Sequence, residues 1–235
     1  VYSFMDSAII GRSGSFTVKN YVYLFHSEDL RSMIFGTLIL AVVVAVISTI
    51  LGTLGAIGAF YSSKKLKRPI HLMNQIPVVN ADVVTGFSIC VLLIVFFKMD
   101  KASYIPLVIG LVSLCSPFVY LSVIPRLKQM DPQLYEAALD LGCSSFGALR
   151  KVVLPQLTSG IVSGFMMSIT LTLDDYFITT YTKPSMFDTI STYVVNATKG
   201  AQTDVKTALW ALSTIIFLIV IFVVIGMNHT GRKEN

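Results

Sequence analysis

The sequence predicts an all-α bundle of membrane-spanning helices, and three observations carry that prediction. The chain is 54% hydrophobic and only 13% charged, with a mean hydropathy of +0.74; a soluble domain carries about a quarter charged residues. The charge is also bunched, since the intervals Arg31 to Lys64, Lys101 to Arg126 and Lys206 to Arg232 contain no Asp, Glu, Lys or Arg. Finally, the apolar runs mix Val, Ile, Leu, Ala and Gly without the apolar/polar alternation that marks the roughly 10-residue strands of a membrane barrel. Water is absent from the bilayer core, so backbone groups there must be satisfied within a helix.

Five segments meet the roughly 20-residue requirement for a crossing. They run 33–61, 72–97, 104–124, 156–181 and 207–228. Gly52, Gly55 and Gly58 lie at spacing three in the first and make a small-residue stripe suited to close helix packing. Tyr104 and Trp210 stand near span starts, where interfacial anchoring accounts for them. The stretch 1–31 contains neither an apolar run of spanning length nor a signal peptide.

Orientation follows from Lys and Arg. Lys64, Lys65, Lys67 and Arg68 crowd one short connection; Arg126, Lys128, Arg150 and Lys151 flank the next on the same side, and Arg232 and Lys233 close the chain. These ten of the eighteen basic residues occupy the shorter set of connections, which places that set in the cytoplasm. With five spans, Val1 is then outside and Asn235 inside. An external start with no crossing ahead of it is difficult to insert, so a sixth, N-terminal span is expected upstream of Val1.

The connection 126–155 carries the most information. Asp131 suits an N-cap with Pro132 at the first helical position, and Gly142 suits the left-handed position after a helix end. Between them Leu134, Ala137, Ala138 and Leu141 form one apolar stripe, while Gln133, Glu136 and Asp140 share another face. Ser144 or Ser145 can cap a second helix ending near Pro155. A stripe of this kind serves equally to pack on its own bundle or to meet a partner.

Three acids fall within apolar runs, namely Asp82, Asp174 and Asp175. A charged group in hydrocarbon costs several kcal/mol, about 3 on lenient scales, so it faces a cavity or a partner. Asp82 lies about 15 Å into its span and Asp174 about 27 Å into its own, at 1.5 Å per residue, which places them at different depths. Structurally, such acids would cap broken helices, Pro77 being a candidate breaker. Functionally, they would line a route for a cationic solute, with Tyr176 and Phe177 offering cation–π faces. Adjacent residues point about 100° apart on a helix, so one of Asp174 and Asp175 is expected to face such a route.

Several classes are excluded. No G-x-x-x-x-G-K-[ST] phosphate loop, H-E-x-x-H or G-x-S-x-G occurs, so no catalytic site is assigned and the chain is not its own ATPase. Cys90, Cys115 and Cys143 lie far apart, and His26, His71 and His229 lack ligand spacing; no metal site follows. The net charge of +5 reads as topology-setting loop charge, not a nucleic-acid surface. A secondary transporter or channel would show internal repeats, which are not seen. An intramembrane enzyme would need paired groups at one depth.

The spacing Glu136-Ala137-Ala138, three residues, Gly142, nine residues, Val152, one residue, Leu154-Pro155 resembles the Glu-Ala-Ala signature loop of ATP-binding-cassette (ABC) importer permeases, with Val152 where Ile is usual. Residues 16–25, Pro77 to Gly86, and Leu173-Asp174-Asp175-Tyr176-Phe177 look like the spermidine/putrescine branch. The resemblance implies the type I importer permease fold in a bacterial inner membrane, normally with six spans. It implies that Glu136, Ala137, Ala138, Leu141 and Gly142 dock a separate ATPase dimer, which binds the ATP and Mg that this chain does not. A second, paralogous permease and an extracytoplasmic substrate-binding protein would complete the assembly. Asp82, Asp174, Asp175 and Tyr176 become the expected substrate pathway for polyamines, with iron or phosphonate as other solutes handled by permeases bearing the same loop.

Overall fold

The computed structural model describes residues 28–79, 82–131 and 133–199, with Phe4, Phe16, Thr17, His26, Thr214, Phe217, Leu218, Ile221 and Ile225 besides. Among the described residues no β-strand forms. The helices are α1 (Glu28–Tyr61), α2 (Lys64–Val79), α3 (Asp82–Cys90, continued by a π-helical stretch Val91–Phe96) and α4 (Ile105–Gln129). They are followed by α5 (Gln133–Asp140), α6 (Ser145–Gln156, with a π-helical stretch Leu149–Val153), α7 (Thr158–Asp174), α8 (Phe177–Thr182) and α9 (Ile190–Lys199).

Helix α4 is the axis of the fold. Leu107, Leu111, Cys115, Val119, Val123 and Leu127, spaced four apart, are all fully buried, and α1 and α7 pack along this row. Lipid chains are as apolar as Leu, so helices in a bilayer associate through close van der Waals fit, which small residues permit. Here those residues are Gly52, Ala56 and Ala59 of α1 and Gly160, Gly164 and Ser168 of α7. A Cβ on Gly164 would lie 3.0 Å from Val119 Cγ1, and one on Gly160 3.0 Å from the Ser122 carbonyl oxygen. Pro117 and Pro125 interrupt the backbone ladder inside α4. Hydroxyls of Ser113, Ser116 and Ser122 donate to carbonyls one turn back, at 2.8, 2.7 and 2.9 Å.

Among the described residues two helices, from Leu30 to Tyr61 and from Ile105 to Gln129, are long and apolar enough to cross a membrane; α6 and α7, bent by 70° at their junction, qualify together as a third. Helix begins at Lys64, so the basic cluster opens α2 where the sequence suggested a loop. Lys, Leu and Arg are good helix formers, which explains the early start. The segment 156–181 breaks after Asp174 and resumes at Phe177. The segment 207–228 lies outside the described residues apart from Thr214, Phe217, Leu218, Ile221 and Ile225.

Candidate functional site

Helix α5 and its flanks form a knob at the end of the bundle where α1 and α4 finish. Asp131 Oδ1 accepts the Gln133 N–H at 2.9 Å and starts the helix; Pro132 lies outside the described residues. At the other end Gly142 adopts φ +85°. Its N–H donates to the Leu139 carbonyl at 2.9 Å while the Cys143 N–H donates to Ala138 at 3.0 Å, the paired bonds of a Schellman stop. Ser144, not Ser145, caps α6, accepting the Gly147 N–H at 3.1 Å.

The predicted stripe Leu134, Ala137, Ala138 and Leu141 does not turn inward as a unit. Ala138 is buried, whereas Leu134 and Ala137 are exposed and Leu141 is 85% exposed. The foot of the knob is made by Ala138 with the half-buried Tyr135 and Leu139. Tyr135 packs on the cluster of Ala56, Val123, Leu127, Met130, Val153 and Leu157, and its ring lies 4.9 Å from that of Tyr61 at the end of α1. Sequence reasoning missed both tyrosines, since ring contacts across 74 positions leave no local periodicity. It also passed over Phe146, 74% exposed on α6 beside the stop. An outward apolar face with Glu136 and Asp140 exposed on the same helix is suited to meeting another macromolecule.

The acids form a second centre. Asp174 ends α7, exposed, and its carbonyl accepts the Ser191 hydroxyl at 3.2 Å. Asp175 is extended (ψ 123°), and its Oδ2 accepts both the backbone N–H and the hydroxyl of Thr179, each at 2.8 Å. It therefore caps the start of α8. Tyr176 stacks edge-on with Phe177 at 5.3 Å. Asp82 is the first described residue of α3, and its side chain lies outside the described residues. Helices α3 and α8 run parallel and in contact: a Cβ on Gly86 would meet the Ile178 backbone at 3.1 Å, and Cys90 Sγ lies 3.3 Å from the Tyr181 carbonyl oxygen. Their N-terminal ends are neighbours, so Asp82 and the Asp175 cap belong to the same end of one helix pair. The different depths inferred from span counting do not hold, because Gly86 and Cys90 of α3 lie level with Ile178 and Tyr181 of α8.

Beyond α8 the chain makes an ordered loop. Lys183 Nζ donates to Asp188 Oδ1 at 2.7 Å and to the Phe187 carbonyl at 2.9 Å. Thr189 and Thr192 bond reciprocally at the start of α9. The loop is tied to α1, where the Ile190 N–H donates to Thr37 Oγ1 at 3.2 Å. Beside it a cavity of about 310 Å³ is lined by Leu30, Met33, Phe187, Asp188 and Tyr193 among others. Among the described residues no group of three His, Cys, Asp or Glu is arranged to hold a metal ion.

The fold is that of ABC importer permeases. It superposes with a TM-score of 0.71 on the crystal structure of a bacterial ABC transporter that imports the acidic polysaccharide alginate, at 18% identity over 93% of this chain and 84% of that one. Residues 48–230 match the family of binding-protein-dependent transport system inner membrane components, and the chain belongs to that family. It is 28% identical to the spermidine/putrescine transport system permease protein PotC of Escherichia coli K12, over 93% of this chain and 81% of that protein. It is 27% identical to the putrescine transport system permease protein PotI of the same strain, over 92% and 78%. The chain is thus a permease component of an ABC importer, and the secondary-transporter and intramembrane-enzyme readings are set aside.

Proposed function

We propose that this permease moves polyamines inward across a bacterial inner membrane, driven by a separate ATPase dimer that docks on the 133–142 knob. A paralogous permease forms the other half of the route and an extracytoplasmic binding protein delivers the cargo. The basic residues at Lys64–Arg68 and Arg126–Lys151 support a cytoplasmic knob, and with it a reading in which Val1 is outside and Asn235 inside. ATP and Mg belong to the ATPase.

The fold does not decide the cargo, since its alginate-importing relative handles a polyanion. The observation that carries the polyamine reading is Asp174. It stands at the C-terminus of α7, where the helix dipole is already negative, and the Lys183–Asp188 pair is the one ion pair among the described residues. An exposed carboxylate on the negative end of a helix favours an ammonium group and disfavours an anion. Tyr176 next to it adds a ring face for the same charge. Asp175, at the start of α8, is partly offset by the local dipole and shapes the site more than it attracts the cargo.

The test is uptake by cells whose only polyamine importer contains this chain. Labelled putrescine or spermidine should accumulate and be displaced by the unlabelled polyamine. Displacement by ferric chelates or phosphonates, with polyamines inert, would replace the cargo assignment while leaving the permease class intact.

A further inference from the structure

An importer of this kind has to connect two distant events, nucleotide-driven movement at the knob and handling of cargo at the other face. The described helices differ sharply in their fitness to carry a displacement between them. Helix α4 is interrupted by Pro117 and Pro125, each removing an i→i−4 bond and inviting a kink. Helices α6 and α7 meet at a 70° bend. Helix α1 is the longest of the described helices, 34 residues without a proline.

Both ends of α1 are engaged by the parts that matter. At one end the Tyr61 ring lies 4.9 Å from Tyr135 of α5, tilted by 45°, and edge-on to Phe60 at 5.2 Å. At the other, Thr37 Oγ1 accepts the Ile190 N–H at 3.2 Å, and a Cβ on Gly36 would sit 3.0 Å from Phe187 Cε2. Phe187 in turn lies 5.2 Å from Tyr104 at the head of α4. From Thr37 to Tyr61 the helix rises about 36 Å, the depth of a bilayer core and more. A proline-free helix held at both positions keeps its backbone ladder between them and can transmit axial or rocking movement.

We propose that α1 is the relay between the knob and the 183–190 loop, with the Tyr61–Tyr135 ring contact as its inner coupling point and the Thr37–Ile190 bond as its outer one. This rests on the knob being the ATPase dock. Tyr61 and Tyr135 are positioning residues; neither touches cargo or nucleotide. The loop, stiffened by Lys183–Asp188 and by the Thr189–Thr192 cap, is the element whose position α1 reports to the ATPase.

The experiment uses the complex isolated from native membranes through a tag on this chain and reconstituted in vesicles, with ATP hydrolysis measured with and without the cargo-loaded binding protein. Tyr61→Ala, outside the 133–142 dock, should retain the ATPase but lose about fivefold or more of the stimulation given by the binding protein, the size of a modest allosteric coupling. Tyr61→Phe, which keeps the ring, should restore it. Stimulation kept within about twofold in Tyr61→Ala overturns the relay. So does outright loss of the ATPase in Tyr61→Ala, which would make that ring a mere brace for the knob. Leu141→Asp separates the two claims. It should release the ATPase, and retention there would strike the docking reading itself, whereas release of the ATPase by Leu141→Asp with normal stimulation in Tyr61→Ala strikes the relay alone.

Discussion

Gly52 of α1 lies against Val119 of α4 so closely that a methyl group on it would fall 2.6 Å from Val119 Cβ and 2.8 Å from the Ser116 carbonyl oxygen. Backbone cannot move aside cheaply, so Gly52→Ala forces the two central helices apart. Gly58, in the same stripe, has no atom within 4 Å of the equivalent point. Overpacking costs about 1–3 kcal/mol, while an open helical Gly→Ala gains up to about 1 kcal/mol. Gly52→Ala is expected to lower the melting temperature of the detergent-solubilised chain and Gly58→Ala to leave it unchanged or raise it. Equal behaviour of the two would show that the α1–α4 contact is not tight.

The stop of α5 gives a sharper test of the knob. Gly142 holds φ +85° with open space around its Cα, so an added methyl meets no neighbour and the penalty is purely conformational, about 1–2 kcal/mol. Gly142→Ala should weaken ATPase copurification, with faster amide exchange confined to 133–143. Glu136→Arg should abolish copurification without altering exchange there, because Glu136 is exposed and on the docking reading would act only at the contact surface. Were Glu136→Arg to copurify normally, the knob would not be the dock.

The knob was readable in the sequence because its signals are local. Asp131, Gly142 and Ser144 each act through backbone groups within three or four positions, so residue type and spacing suffice. The direction of the stripe was not readable, since amphipathicity gives a face but not its partner; Leu141 looks outward only because Tyr135 and Ala138 are the ones that reach the bundle. The acids illustrate the same limit. That Asp175 opens α8 is decided by Thr179, four positions on, yet which of two adjacent carboxylates does so depends on where α7 stops.

Asp174 and Asp175 should therefore behave differently when neutralised. Asp175→Asn leaves a weaker acceptor for the Thr179 N–H and hydroxyl, and loss of a cap costs about 0.5–2 kcal/mol; its signature is a lowered melting temperature. Asp174→Asn disturbs no packing and should lower polyamine uptake about tenfold, the equivalent of ~1.4 kcal/mol of lost attraction, with assembly intact. Uptake of labelled putrescine alongside a thermal melt checks both. Unchanged uptake in Asp174→Asn would remove that residue from the route.

Hydroxyls buried in α1 differ in whether they have partners, and this yields opposite expectations for one substitution. Thr53 is 6% exposed, and its hydroxyl has no hydrogen-bond partner among the described residues. Thr37 is fully buried, donates to the Met33 carbonyl at 2.8 Å and accepts the Ile190 N–H. Valine matches threonine in shape but has no hydroxyl. At Thr53 the change removes an unsatisfied polar atom, a gain of about 1 kcal/mol; at Thr37 it orphans the Ile190 N–H, a loss of about 1–3 kcal/mol. For a chain of this size each kcal/mol moves the melting temperature by about 2–4 °C. Thr53→Val should melt higher than the native chain and Thr37→Val lower. A drop in Thr53→Val would mean that its hydroxyl finds a partner in the assembled importer, which repeating the melt on the complex and on the isolated chain would expose.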